Sequence, residues 1–186
     1  MTGAIGRDFF ARSVHEVAPD LIGATLLVDG VGGRIVEVEA YDQEDPASHG
    51  FRGRTPRNTA MFGPPGHAYV YFTYGMHHCL NFVTREEGIP QAVLIRALEP
   101  GPGVGRCSGP GLICRSLSID RTLNGVQLSP PHLYVVDDGE PQRRVFETPR
   151  IGVHNSGDWA AKPLRFCLDS PHLSRPLPRA FRAVGD

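Results

Sequence analysis

Apolar and polar residues alternate over several short segments of the chain, the pattern of strands that bury one face. The clearest segment is 35–41, and its first face carries Val36, Val38 and Ala40. Its second face carries Glu37, Glu39 and Tyr41. The alternation predicts a strand on which Glu39 and Tyr41 point the same way, one strand repeat apart.

Similar patterns predict further strands at 24–28, 67–73, 78–84, 92–98, 133–136 and 164–168. A capping box at 13–16 and apolar residues at helical spacing predict an early helix up to residue 22, and a second short helix is expected at 112–119. The segment 74–76 is expected at the tip of a hairpin between two strands. Residues 42–65 form a long loop of the kind that is usually functional. We therefore expect short strands and two helices in one domain, 1–186, ending in a Pro-rich surface tail at 171–186.

Composition supports this picture of short strands and many turns. The chain has 186 residues with 22 Gly and 17 Pro, enough length for one domain with a real core. It contains no apolar run of the roughly 20 residues that a membrane span needs and no signal-peptide pattern. We expect a cytoplasmic protein, nucleoid-associated in a bacterium. The four scattered cysteines favour buried thiols, and we expect neither a metal nor a cofactor.

The charge distribution points to a nucleic-acid partner, although the net charge is only -1. Residues 46–85 contain no Asp or Glu, yet they include Arg52, Arg54 and Arg57. A nearly neutral protein can thus present one positive face to phosphates. The alternative is a loop that merely lacks acids.

A carboxylate with a nearby cation is the candidate for chemistry. Arg96 lies on a predicted strand with an otherwise apolar face, where an unpaired cation would be costly. Paired with Glu39, it would keep that carboxylate ionised, as a general base that activates water requires. Glu37 shares the same face, and spacing alone does not choose between the two.

Four of the five tyrosines fall in this region, namely Tyr41, Tyr69, Tyr71 and Tyr74. Such a stripe is more often core than ligand slot. However, tyrosine combines an apolar face with a polar edge, which suits a base extracted from a duplex. Tyr74 at a hairpin tip suits a side chain that wedges between base steps.

The chain also contains a long series of ordered motifs. They are 35–41 (IVEVEAY), His49, 52–58 (RGRTPRN), 69–71 (YVY), 74–76 (YGM), Asn81, 93–100 (VLIRALEP), 107–110 (CSGP) and 159–166 (WAAKPLRF). This series resembles the alkyladenine (3-methyladenine) DNA glycosylase family, from about residue 21 to residue 166. The resemblance implies a mixed α/β (α+β) fold. It is a single domain around a curved, mainly antiparallel sheet, with a protruding β-hairpin that probes the DNA minor groove.

The resemblance also implies roles for individual residues. Glu39 would deprotonate the attacking water, which Arg96 helps to hold, and this favours Glu39 over Glu37. Tyr41 on one side, with His49 and Tyr71 on the other, would enclose the flipped base.

On the DNA side, Tyr74 would fill the gap that the flipped nucleotide leaves, and Asn81 would collide with the 2-amino group of normal guanine. The remaining residues expected at the DNA are Met76, His77, Arg52, Arg54, Arg57 and Tyr69. The implied partner is double-stranded DNA containing damaged purines.

The expected activity is that of a monofunctional DNA glycosylase of base excision repair, acting on 3-methyladenine and 7-methylguanine and extending to hypoxanthine and ethenoadenine. Lys162 is the only lysine and lies far from the strand pair, which argues against a Schiff-base lyase step. The alternatives are a non-catalytic module that binds damaged DNA and a nucleoside hydrolase. We expect a monomer, because one enzyme engages one lesion.

Overall fold

The computed structural model describes residues 3–137, 139 and 144–181. Its strands are β1 (Gly3–Ala4), β2 (Thr25–Val28), β3 (Val31–Tyr41), β4 (Ala68–Thr73), β5 (His77–Thr84), β6 (Gln91–Pro100), β7 (Leu133–Asp137), β8 (Phe146–Thr148) and β9 (Arg165–Cys167). Its α-helices are α1 (Arg7–Phe10), α2 (Val14–Asp20) and α3 (Pro110–Ser116). Short 3-10 helices lie at Thr59–Phe62, Arg121–Leu123, Gly157–Ala161 and Arg179–Phe181.

All nine strands belong to one sheet, whose main path runs β1-β7-β2-β3-β6-β5-β4. Strand β9 adds to β3, and β8 adds to β9. All of the pairings among the described strands are antiparallel. The curved, mainly antiparallel sheet with few helices confirms the predicted mixed α/β class.

The central strand β3 changes partners along one edge. Its first residues pair with β2, with Arg34 opposite Thr25, and residues 37–39 pair with β9. The other edge pairs with β6 throughout, but the register shifts on either side of Glu37. An irregularity of this kind bends a strand and increases its twist. The change of partner and the bend occur at the same place, beside the two glutamates.

The predicted alternation along 35–41 is confirmed, but both of its faces are buried. Val36, Val38 and Ala40 belong to the main core, against which α2 and α3 pack. Glu37 and Glu39, on the opposite face, are also 0% exposed. The sheet therefore covers a second, polar interior in addition to its apolar core.

The early helix and the hairpin are confirmed. Ser13 caps α2 with a complete capping box, which satisfies two free backbone donors at the helix start. In the hairpin Thr73 pairs with His77, and the tip residues Tyr74 and Gly75 have positive φ angles of 52° and 65°. Positive φ at successive tip residues suits the right-handed twist of the flanking strands.

The expectation of a Pro-rich surface tail is wrong for its first part. Leu173 and Leu177 are only 8% and 3% exposed and join the main core. Burial of two leucines at this spacing stabilises the segment against the sheet, whereas Pro171 and Pro178 remain exposed. Residues 182–186 of the expected tail lie outside the described residues.

The short strands β1 and β8 and the helix α1 were not predicted from the sequence, because two to four residues carry too little periodicity. Within the described ranges, no helix has the length and apolar composition needed to cross a membrane.

Candidate active site

One row of side chains crosses four strands and defines the face of the site. In neighbouring antiparallel strands Glu39 lies opposite Leu94, Leu94 opposite Asn81, and Asn81 opposite Tyr69. Residues directly opposite each other share a face of the sheet. The row therefore joins the candidate base on β3 to the tyrosines on β4.

Two adjoining cavities open on this face, with volumes of about 350 Å³ and about 60 Å³. Tyr41, His49 and Tyr71 line both of them. The larger cavity is also bounded by Arg96 and by the segment 151–153, and the smaller one by Met61, Tyr69 and Asn81. The three aromatic rings expected around a base thus lie at one place in the fold.

Glu39 lies just behind the lining of the larger cavity, and three groups donate hydrogen bonds to it. The Tyr41 hydroxyl donates to Oε2 at 2.8 Å and the backbone N–H of Ile151 to Oε1 at 2.7 Å. Nη1 of Arg96 donates to Oε2 at 3.4 Å. All three donors belong to residues that line the cavity.

Burial and these donors shift the pKa of Glu39 in opposite directions. Desolvation raises the pKa of Glu39 above its ordinary value of 4.5, although Arg96, the Ile151 amide and Tyr41 each act to lower it. Arg96 favours the ionised form of this carboxylate, and burial opposes it. A carboxylate with a raised pKa is a stronger base once it is ionised.

Arg96 reaches the glutamates because it occupies a bulge. Glu37 pairs with Ala97 and Val38 with Ile95, which leaves Arg96 without an opposite residue on β3. A bulge re-aims the side chain of the extra residue. Nε of Arg96 donates to Glu37 at 3.1 Å, so the guanidinium bridges the two carboxylates.

Glu37 has quite different surroundings from Glu39. It accepts hydrogen bonds from Nε of Arg165 at 2.8 Å and from the backbone N–H and hydroxyl of Ser174, both at 2.7 Å. Burial would raise the pKa of Glu37, but Arg165, Ser174 and Arg96 outweigh it and lower that pKa. The strand pattern made the two glutamates equal candidates, whereas their partners make Glu37 the centre of a buried ionic network.

The wall opposite Tyr41 consists of three packed rings. His49 lies 4.5 Å from Tyr71 between ring centroids, and Nδ1 of His49 is 2.8 Å from the Tyr69 hydroxyl. Burial, with the nearby charge of Arg57, lowers the pKa of His49, and burial raises the pKa of Tyr69 to about 12. This wall is therefore uncharged near neutral pH.

Tyr69 differs from its expected place among the DNA-contacting residues. It is only 3% exposed and lies behind His49 in the smaller cavity. Because its hydroxyl bonds to the His49 ring, it supports the wall of the cavity from within.

The other face of the Tyr41 ring is covered by Arg150, a residue that sequence reasoning missed. The guanidinium carbon lies 4.5 Å from the ring centroid, and Nη1 bonds to Asp45 and to the carbonyl of Ala40. A cation over a ring fixes the ring's position. Ile151, which follows it, was missed too, because it acts through its backbone N–H and its side chain gave no signal.

The residues expected on the DNA side lie around the hairpin and the long loop. Tyr74 is 87% exposed and Met76 68% exposed. His77 is also exposed. Its ring packs closely on Gly111 at the start of α3, where an added methyl group on the glycine would lie only 2.9 Å from Cγ of His77.

The three expected arginines of the loop, Arg52, Arg54 and Arg57, are all exposed. Arg52 and Arg57 line a third cavity of about 490 Å³ next to the aromatic wall, together with Arg121. Asn58 anchors this loop through bonds from Nδ2 to the carbonyls of His49 and Gly53. In residues 3–137, 139 and 144–181, no group of three His, Cys, Asp or Glu side chains is arranged to hold a metal ion.

The site combines a buried carboxylate that accepts three hydrogen bonds, an aromatic cavity above it and a neighbouring loop that carries arginines. This combination suits a hydrolase that acts on a flat ring attached to a charged polymer. Comparison with known proteins gives the class directly. Residues 8–172 match the family described as methylpurine-DNA glycosylase. The chain belongs to this family, and it is therefore an N-glycosyl hydrolase that acts on DNA.

Individual relatives agree with the family. A protein of Rhodopseudomonas palustris (strain HaA2) is 51% identical, with 89% of each chain covered. A protein of Nitrosospira multiformis is 50% identical over 91% of this chain and 93% of its own. Both are described as "Putative 3-methyladenine DNA glycosylase". The resemblance inferred from the motifs is confirmed at the level of the family.

Proposed function

We propose that this enzyme is a monofunctional glycosylase of base excision repair that removes damaged purines from double-stranded DNA. The proposed substrates are 3-methyladenine and 7-methylguanine, extending to hypoxanthine and ethenoadenine. The observation that carries the proposal is Glu39, held by three donors that themselves line an aromatic cavity. We further propose that it acts as a monomer in the cytoplasm, where it meets the chromosome.

In the proposed reaction, ionised Glu39 takes a proton from a water at the end of the cavity near Arg96 and Ile151. The water oxygen bonds to C1′ of the sugar as the N-glycosidic bond breaks, and the bonding electrons leave with the base. A purine methylated at N3 or N7 carries a positive charge, so it departs as a neutral molecule without an acid. The sugar passes through an oxocarbenium-like state, which a nearby carboxylate stabilises.

The proposed base slot lies between Tyr41 and the wall of His49 and Tyr71. Electron-rich rings favour a cationic ring by cation–π attraction. The neutral state of the wall supports this, because a protonated His49 would repel the same substrate. Asn81, at the inner end of the slot, is the proposed obstacle to the 2-amino group of normal guanine.

Tyr74 is the proposed wedge. Its ring is 87% exposed on a hairpin tip that borders the larger cavity. An exposed aromatic ring of this kind can fill the space that a flipped nucleotide leaves in the base stack. Met76, His77 and the loop arginines Arg52, Arg54 and Arg57 are the proposed contacts to the surrounding DNA.

The proposed lack of strand cleavage rests on Lys162. Its Nζ lies 3.1 Å from the centroid of the Trp159 ring, and the residue is exposed outside the lining of both cavities. A Schiff base would need an amine next to C1′. Borohydride trapping of a covalent DNA complex would contradict this part of the proposal.

The decisive experiment measures base release from duplexes that carry one 3-methyladenine, 7-methylguanine, hypoxanthine or ethenoadenine. Glu39→Gln keeps the shape of the side chain but not the base, so we expect a loss of about 10²–10⁴-fold, the contribution of a general base. Lesion binding should survive. The matched control is Glu87→Gln, at an exposed glutamate.

Base release by Glu39→Gln at the wild-type rate would disprove the assignment of Glu39. Equal hydrolysis of free nucleosides and duplexes would favour a nucleoside hydrolase instead. Binding of lesions without release by the wild type would favour the binding module.

A further inference from the structure

Ser174 connects the C-terminal segment to the buried ionic network. Its hydroxyl donates to Oε1 of Glu37 at 2.7 Å and accepts from Nη2 of Arg96 at 3.2 Å. Its backbone N–H donates to Oε2 of Glu37 at 2.7 Å. One residue of the C-terminal segment thus contacts both Glu37 and the arginine that faces Glu39.

The segment around Ser174 is fixed on both sides. Leu173 and Leu177 are buried in the main core, and the carbonyl of Arg175 accepts from Nη2 of Arg165 at 2.5 Å. Arg165 also bonds to Glu37. The Ser174 hydroxyl is therefore held in position and is not a mobile surface group.

Each nitrogen of the Arg96 guanidinium has a different partner: Nε bonds to Glu37, Nη1 to Glu39 and Nη2 to Ser174. A guanidinium is planar and rigid, so fixing two of its nitrogens sets the direction of the third. The bond to Glu39 is the longest of the three, at 3.4 Å. The contacts of Nε and Nη2 therefore help to set the direction of Nη1 towards Glu39.

We propose that Ser174 is a positioning residue of the active site: its hydroxyl orients the guanidinium of Arg96 so that Nη1 faces Glu39 and the cavity. This rests on the proposed role of Glu39 as the base. Ser174 itself lines neither of the two adjoining cavities, so it would act through Arg96. Displacement of a catalytic group by about 1 Å can cost about 10²-fold in rate, so loss of this one bond should be visible in kinetics.

The test compares Ser174→Ala with two matched variants. Ser174→Ala removes the hydroxyl but keeps the backbone bond to Glu37, and Ser174→Thr keeps a hydroxyl. Ser170→Ala makes the same change in the same segment, where the hydroxyl only accepts from the backbone N–H of His172. Single-turnover release of 7-methylguanine from a duplex is measured with enzyme in excess, and circular dichroism and thermal melting confirm that each variant is folded.

We expect Ser174→Ala to release the base about tenfold more slowly, with lesion binding unchanged, and Ser174→Thr and Ser170→Ala to resemble the wild type. The acid limb of the pH–rate profile should also move to higher pH in Ser174→Ala, because a displaced Arg96 no longer lowers the pKa of Glu39. The charged and titratable groups around Glu39 are Arg96, Glu37, Tyr41, Tyr71, Arg150 and Arg165, which lies opposite Glu39 on β9. Of these, only Glu37 and Arg96 contact Ser174 among the described residues.

Ser174→Ala with the wild-type rate constant and pH profile would overturn the proposal, even if its melting temperature falls, since the segment would then only stabilise the fold. A threonine variant as slow as the alanine variant would also overturn it. Glu39→Gln is assayed in parallel. If it is inactive while Ser174→Ala is fully active, only the positioning role fails; if Glu39→Gln is active, the proposed base itself fails.

Discussion

Replacing Glu37 with glutamine should destabilise the fold rather than act first on chemistry. Glu37 is 0% exposed and accepts four hydrogen bonds, from Arg96, from Arg165 and twice from Ser174. Glutamine keeps one acceptor oxygen but turns an N–H₂ donor towards donors. Two arginines would then lose their shared buried counter-ion.

Breaking a buried ion pair by removing one partner costs about 3–5 kcal/mol. For a chain of this length, each kcal/mol lowers the melting temperature by about 2–4 °C, so Glu37→Gln should melt about 6–20 °C below the wild type. The control is Glu147→Gln, the same change at an exposed position of β8. The free energy of unfolding of this control should lie within about 0.5 kcal/mol of the wild-type value.

The pH dependence makes this prediction sharper. Folding lowers the pKa of Glu37 from its ordinary value of 4.5. Its contribution to stability is therefore fully present above pH 4.5 and is lost as the pH falls through the folded pKa. The free energy of unfolding of the wild type and of Glu37→Gln is measured in urea between pH 7 and pH 3. The difference between the two proteins should become smaller as the pH falls. Two results would refute the structural role of Glu37. One is a difference in the free energy of unfolding below about 1 kcal/mol at pH 7, where breaking a buried pair should cost about 3–5 kcal/mol. The other is a difference that does not change with pH.

Three further predictions concern activity and DNA. The pKa of Glu39 is raised above 4.5, and a general base must be ionised to act. The kcat/KM for base release should therefore fall as the pH drops through that raised pKa, while the fold is still intact. A pH–rate profile that stays flat down to pH 4.5 would contradict this. Tyr74→Ala should change the free energy of unfolding by no more than about 0.5 kcal/mol. It should weaken binding to a lesion-containing duplex about 5- to 150-fold, as measured by fluorescence anisotropy, because stacking on one base contributes about 1–3 kcal/mol. Arg57→Ala should weaken binding to all duplexes alike and reduce the slope of log K against log salt by about one, and an unchanged slope would remove Arg57 from the phosphate contacts.

The local pattern predicted the parts of the site that lie within single strands. Alternation placed Glu39 and Tyr41 on one face, and the hairpin brought Tyr71 close to Tyr74 along one strand. These features depend on a two-residue period and a turn, both of which can be read over a few residues.

Long-range partners could not be predicted in this way. The Ile151 amide that bonds to Glu39 and the Arg165 that bonds to Glu37 lie 112 and 128 positions away. Ser174 lies in a Pro-rich stretch whose composition suggested only an exposed tail. Leu173 and Leu177 were the available signal there, since two leucines four residues apart can anchor even an irregular segment.

The direction of the pKa shift of Glu39 could not be deduced from its pairing with Arg96 either. Its pKa depends on how completely the side chain is removed from water, and that depends on segments from three distant parts of the chain. Burial outweighs the arginine here.

Tyr71 and Tyr74 are separated by a fixed length of chain in the hairpin. Tyr71 belongs to β4, and Tyr74 follows the last residue of that strand, Thr73. Three residues of extended chain span about 10 Å, so under the proposed roles the wedge and the wall of the slot stay at a set separation. Deleting Phe72 would shorten that span by about 3.3 Å and turn Tyr71 to the other face relative to the tip. The surface residues of the hairpin can be replaced, but its length between these two rings should stay the same in any functional variant.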